Sequence, residues 1–402
     1  MSQECINCLY TSDHPFGLTF NVDGLCSGCV THQEKFDLDW SHRFELLLRK
    51  VEPYRSKSGR GQYHCVVPVR GTPEYFYVLD VVKNRLGLNP LVVMYNSQFN
   101  SIPGIRNLDL LRESFDVDLL HYTSNPVIYK KLIRESLVKL NSMRWPYLAG
   151  ETQFPVQVAV EHDIPLIVWP LHQPTEQVGM HSYEEEPEMT RRGRHEFDLM
   201  GHEPGDFVNV ETLTNRLDVE DLHYPDNRRL SKTGVTGIYL GNYIPWDSRT
   251  FSEEMIEKFG AIAAGNPRTF DSYDRIDDMT YMTIHDVLKQ AKLGYSRVTD
   301  NLCREIRFKR VSKEDAKVIE AHYQSMMPER EIAVFLEWIG MLRKGLDWYL
   351  ERMKHQIDFN AGPISLNTAQ QSFIRGFTRH GEVFEQDQYI IFGKGLDRMA
   401  RD

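Results

Sequence analysis

YHCVVPVRGTPEYFYVLDVVKNRLGLNPLVVMYN, residues Tyr63–Asn96, carries two short apolar runs on either side of one amphipathic stretch. The runs Tyr63–Val69 and Leu91–Tyr95 are too short for helices and apolar at successive positions, so they read as strands buried on both faces. Pro73–Leu86 reads as a helix with proline in its first turn, where the missing N–H removes no hydrogen bond. The unit then repeats as helix Ile105–Phe115, strand Asp118–Tyr122, helix Pro126–Leu140, helix Thr152–His162 and strand Pro165–Trp169. Repeated β-α units predict an α/β fold, a doubly wound Rossmann-like parallel sheet.

Outward from this core the pattern changes. Phe36–Val51 has helical spacing, with Trp40, Phe44, Leu47 and Leu48 on one face, and Ser56–Gly61 is a polar linker. Met180–Arg229 interrupts the rhythm with opposed charge runs (Glu184–Glu186; Arg191, Arg192, Arg194), which read as solvated surface or, alternatively, as a lid over a site. Gly234–Tyr243 returns as an edge strand. Beyond Thr250 the chain is mainly helical, with capping-box patterns at Thr250–Glu253 and Ser312–Asp315 and amphipathic helices over Val318–Met353. Asp358–Asp402 reads as an appended tail, with Ile390–Phe392 as a short strand. The expected division is a metal knuckle at 1–35, a Rossmann-like domain at 36–250, a helical domain at 251–357 and the tail.

At the front stand two C-x-x-C pairs, Cys5/Cys8 and Cys26/Cys29. Two such knuckles complete a tetrahedral four-sulfur shell that favours Zn2+, with no open position for substrate. Two disulfides or four free thiols are the competing reading. Met1–Tyr10 has neither the basic start nor the apolar run of a signal peptide, so a cytoplasmic setting with reduced thiols is expected. Cys65 and Cys303 lie in apolar or amphipathic stretches and read as core. The net charge of −10 argues against a nucleic-acid surface across the whole molecule, and no apolar run is long enough to span a bilayer.

Two segments carry candidate chemistry. The first strand-to-helix turn, where anions meet helix N–H groups, holds Arg70, Gly71, Thr72 and Glu74; with Asn96 after the second strand these are the candidate cofactor-binding residues. The turn has one glycine and no lysine, a poor phosphate cradle. Downstream, Asp286, Lys289 and Lys292 recur at i, i+3 steps, and Arg297, Asp300, Arg304 and Arg307 form one helical stripe. The two sets read either as a surface ion-pair ladder or as a polar wall at the sheet's C-terminal edge, and all of them but Arg307 are the candidate catalytic residues. His285 beside Asp286, Trp246-Asp247, and His172 with Glu176 are lesser candidates.

CINC and CSGC around TSDHPFGLTFNVDGL, then YHCVVPV, GLNPLVVMYN, FPVQVAVEHDIPLIVW, GNYIPWD and HDVLKQAKLGYSRVTDNLCREIR, come in an order that resembles the N-acetyl sugar amidotransferases over roughly residues 1–355. That resemblance implies an ATP-pyrophosphatase-loop enzyme of surface-polysaccharide (lipopolysaccharide) biosynthesis. ATP with Mg2+ would activate an acetamido oxygen of a nucleotide-sugar or sugar substrate, and ammonia from a glutaminase subunit would displace AMP. The family's S-G-G-K-D-S loop falls on Arg70–Tyr75, where only Gly71 matches, and its second C-x-x-C falls on Met143–Leu148, which has no cysteine. The expected functions are therefore a sugar amidotransferase or a degenerate pseudoenzyme organising an active paralogue, with a related amide- or thio-transfer as a third reading.

Overall fold

The computed structural model describes residues 2–55, 63–187, 189–211, 214–355, 364–378, 381–382 and 389–393. The expected linker Ser56–Gly61 and about half of the expected tail lie outside them. The strands begin with β1 (Cys65–Pro68), β2 (Pro90–Tyr95), β3 (Phe99–Ser101), β4 (Asp118–Tyr122), β5 (Leu166–Trp169) and β6 (Thr236–Tyr239). All but β3 form one parallel sheet in the order β4-β2-β1-β5-β6. Strand order reverses between β1 and β5, and ligand crevices of such sheets open beyond the strand ends at that point.

Alternation along the strands supplies two cores. Val67, Val92, Met94, Leu166 and Val168 face one layer; Val66, Leu91, Val93, Ile167 and Trp169 face the other. The first layer holds α2 (Trp40–Arg55), which follows α1 (Ser27–Asp37), with α3 (Glu74–Leu79) and α4 (Ile102–Phe115). The chain widens into a π-helical stretch after α3, Asp80–Arg85, so the expected helix over Pro73–Leu86 is present with a changed second half. Next come α5 (Pro126–Leu140) and α6 (Trp145–Glu161), the latter covering the opposite face. α5 has its expected bounds because Asn125 accepts from Val127 N at 2.9 Å, Pro126 opens the first turn, and Asn141 ends the helix at φ +50°.

Four local expectations are corrected. The helix expected over Phe36–Val51 is two helices: the N–H of Leu38 closes α1 on Glu34, and the Asp39 carboxylate takes the N–H of His42 to start α2. The helix expected from Thr152 begins at Trp145, whose indole stacks on Phe207 at 3.9 Å and donates to Leu199 O. The span 180–229 is not simply solvated surface. Around α7 (Gln173–Val178), α8 (Arg191–Gly193) and α9 (Asn227–Thr233) it folds irregularly, yet it buries Leu199, Phe207, Val219 and Leu222 against Trp145. Finally α10 (Ser248–Phe259) is capped by Asp247, and Thr250 sits inside its first turn, donating Oγ1 to Asp247 at 2.6 Å.

The C-terminal region stacks α11 (Met279–Leu293), α12 (Arg297–Arg307), α13 (Lys313–Gln324), α14 (Glu329–Ile339), α15 (Arg343–Glu351) and α16 (Thr368–Thr378). Ser312 caps α13 as expected, accepting from Asp315 N. Two short pairings complete the structure: β7 (Ala263–Ala264) lies parallel to β8 (Gly381–Glu382), and β9 (Tyr389–Ile391), at the expected short strand, lies antiparallel to β3.

Candidate functional site

The four N-terminal cysteines converge. Cys5 and Cys29 sulfurs are 3.8 Å apart, those of Cys8 and Cys26 3.6 Å, and all four lie within 4.8 Å of one another in buried positions. A disulfide needs about 2.05 Å. Zinc–sulfur bonds of about 2.3 Å give tetrahedral edges of about 3.8 Å, so the donor set fits zinc. Backbone N–H groups of Cys8 and Cys26 point at Cys5 Sγ, at 3.5 and 3.3 Å, which suits a thiolate. Cys65 and Cys303 are buried and lie outside this cluster.

The knuckle is docked rather than appended. Arg307 of α12 places Nη2 4.0 Å from Cys26 Sγ and donates to the carbonyls of Glu176 and Gln177 at the end of α7. Gly28 permits this approach, because a Cβ there would meet Arg307 Nη2 at 2.3 Å and Gln177 O at 2.7 Å. Tyr10 donates its hydroxyl to Asp300 at 2.7 Å, and Gln177 donates to the same oxygen at 2.8 Å.

Beyond the switch point opens a cavity of about 940 Å³. All six candidate catalytic residues line it, as do Arg70, Glu74 and Arg307; Gly71, Thr72 and Asn96 do not. Most of these side chains are engaged. Asp286 pairs with buried Arg268 at 2.9 Å and takes the N–H of Arg297. Lys289 pairs with Asp300, Lys292 donates to Leu140 O at 2.7 Å, Arg297 pairs with Asp274 at 2.6 Å, and Arg304 with Asp271 at 2.8 Å. Of the lesser candidates, His172 and Glu176 line the cavity, Trp246 donates to Glu74, and Asp247 holds Arg310.

The positions expected to form a nucleotide loop are tied to the protein itself. Arg70 is 4% exposed and reaches Asp277 at 3.0 Å, Asp278 at 2.7 Å and Glu151 at 3.2 Å, with Tyr147 OH alongside. The Gly71 N–H points at Asp277 Oδ2, 3.4 Å away. Glu74 accepts from Trp246 Nε1 at 2.7 Å and Ser248 Oγ at 2.6 Å, and burial pushes its carboxyl above the usual range. Gly71 itself answers to packing: a Cβ there would meet Gly104 O at 2.2 Å. Asn96 is buried away from the cavity, bonded to Asn100 at 2.6 Å and His121 at 2.8 Å. With a carboxylate already facing the loop and no lysine, these residues do not fit a nucleoside triphosphate.

Several cavity residues had no sequence signal of their own. Arg144 and Tyr147 lie in the stretch read only for its lack of cysteines. Arg194 belongs to a charge run that reads as surface or as a lid; it lines the cavity and stacks on Trp169 with its guanidinium 3.7 Å from the ring centroid. Arg275 belongs to no recognisable motif, nor do Asp277 and Asp278 behind it; only the topology brings that segment against the turn that follows β1.

Residues 255–370 match the family described as LPS biosynthesis protein WbpG-like, C-terminal domain. This stretch contains α11 and α12, and so the wall carrying all six candidate catalytic residues. The chain is also 27% identical over 119 residues to an uncharacterized protein, MJ1599, of Methanocaldococcus jannaschii. That similarity covers 29% of this chain, which spans 41% of the length of that relative. Among the described residues, no helix is long and apolar enough to cross a membrane.

Proposed function

We propose that this chain acts in surface-glycan biosynthesis as an amidotransferase-like protein that keeps a sugar-binding cavity but not an ATP-activating loop, and so accompanies an active partner. The carrying observation is the nucleotide loop, whose Arg70 side chain and Gly71 N–H are both directed at Asp277. The lipopolysaccharide-biosynthesis family matched at 255–370 and the cavity of about 940 Å³ support the sugar half of this reading, since sites for ligands of this size run to roughly 1,000 Å³. Zinc on Cys5, Cys8, Cys26 and Cys29 would brace the knuckle against α12 and hold Arg307 in place. The chain's own part is to bind and orient a nucleotide-linked N-acetyl sugar; no ATP-dependent step is assigned to Arg70–Tyr75.

Titration calorimetry of the isolated protein tests this, with ATP and Mg2+ in one arm and a UDP-linked N-acetyl sugar in the other. The expected result is binding of the sugar nucleotide and none of ATP. Micromolar ATP binding with release of AMP would reject the proposal and restore the active amidotransferase.

A further inference from the structure

One wall of the cavity carries buried N–H donors that have no acceptor. Arg144 precedes α6, Arg275 precedes α11, His285 projects from α11 and Arg297 opens α12; all four line the cavity. The carboxylates nearby make their short contacts with Arg70 and Arg297, and only long ones, of 3.8–3.9 Å, with Arg275. Asp277, Asp278 and Glu151 lie against Arg70, and Asp274 lies against Arg297. Among the described residues the Arg144 guanidinium makes no hydrogen bond or ion pair, and Arg275 comes no closer than 3.8 Å to any carboxylate. Arg144 Nε, Arg275 Nη1, Arg297 Nη1 and His285 Nδ1 are buried without an acceptor or donor, and Arg297 is only 8% exposed. Buried donors in native proteins are nearly always paired, so this concentration calls for an acceptor.

Two further observations point the same way. Arg275 is held at φ +57°, a left-handed conformation that a side-chain-bearing residue rarely adopts without compensation. α6 starts beside Arg144 with no side-chain cap, leaving first-turn N–H groups without a side-chain acceptor. The crowding is also electrostatic. Burial and the neighbouring Arg275 bring the Arg144 guanidinium down to about 10, and burial with Arg144, Lys289, Arg275 and Arg297 holds the His285 ring neutral.

We infer that Arg144, Arg275, His285 and Arg297 form an oxyanion subsite that receives the phosphoryl group of a phosphorylated sugar. Guanidinium groups present paired N–H donors that match phosphate oxygens, and Arg144 and Arg275 are the two with that capacity unused. This deepens the sugar-binding reading above and rests on it for the sugar, though not for the anion.

The test measures binding of inorganic pyrophosphate, a sugar 1-phosphate and a UDP-linked N-acetyl sugar to wild type, Arg144→Gln, Arg275→Gln and, as control, the exposed Arg191→Gln outside the cavity lining. Each cavity variant should weaken pyrophosphate binding roughly tenfold to a hundredfold, the loss of one or two charge-assisted bonds, with the control unchanged. Circular dichroism checks folding, and Arg144→Lys, which keeps the charge but not the fork, should fall between wild type and Arg144→Gln. Equal pyrophosphate affinity in all variants, or none in the wild type, overturns the subsite. Pyrophosphate binding that depends on Arg144 and Arg275, with no binding of either sugar ligand, keeps the subsite and rejects the sugar reading. Sugar-nucleotide binding indifferent to both variants does the reverse.

Discussion

Replacing Arg70 with methionine would test the claim that the first loop is internally neutralised. Methionine keeps much of the aliphatic volume and removes the charge. The variant leaves Asp277 and Asp278, each with a side chain 3% exposed, facing the vacated position together. Removing one partner of a buried ion pair typically costs about 3–5 kcal/mol, and two carboxylates lose their partner here. A loss in the upper part of that range is expected in urea unfolding at pH 7. The pH dependence gives a second signature. Burial already raises the Asp278 carboxyl above its ordinary range, and Arg70 is the largest influence opposing that rise. Without Arg70 the folded-state pKa climbs further, so the folded chain binds more protons than the unfolded one. Such a group favours folding below its unfolded pKa, and that stability is lost as pH rises through the folded value. The deficit of Arg70→Met should therefore shrink from pH 7 toward pH 5. A loss under about 1 kcal/mol, or one that grows on acidification, would refute the description of Arg70 as the counter-ion of this pair.

Elemental analysis of the purified protein should find about one zinc per chain, and Cys26→Ser should lose it and loosen the α7–α12 contact; absence of zinc from the wild type would reject the metal assignment. Gly28→Ala should destabilise by about 1–3 kcal/mol through overpacking on Arg307, whereas Gly205→Ala, whose added Cβ meets nothing within 4 Å, should be nearly neutral by thermal unfolding.

The sheet was legible because its strands are short apolar runs buried on both faces, and α5 because Asn125, Pro126 and Asn141 mark its ends locally. The start of α6 was hidden since nothing before Thr152 has strong periodicity; Trp145 is held by Leu199 and Phe207, more than fifty positions away. The stripe on α12 could be read from spacing, but which partner each of its charges takes could not. That depends on Asp271 and Asp274, contributed by a loop without regular structure. Arg144, Arg194 and Arg275 escaped for the same reason: each has an unremarkable sequence setting, and its role follows from where the chain crosses the sheet's open end.

The pairing of β9 with β3 has a consequence for how the protein is made. Asn100 donates to the carbonyl of Ile390, and the N–H of Phe392 to Gln98 O, between groups about 290 positions apart. At translation rates of about 5–20 residues per second, the first strand waits on the order of 15–60 s for its mate. During that interval the Asn100 side-chain amide and the Gln98 carbonyl lack these partners, and a chain interrupted before residue 389 would never acquire them. Quality control acting on the nascent protein would meet this polar seam still open, after the parallel sheet had all its strands.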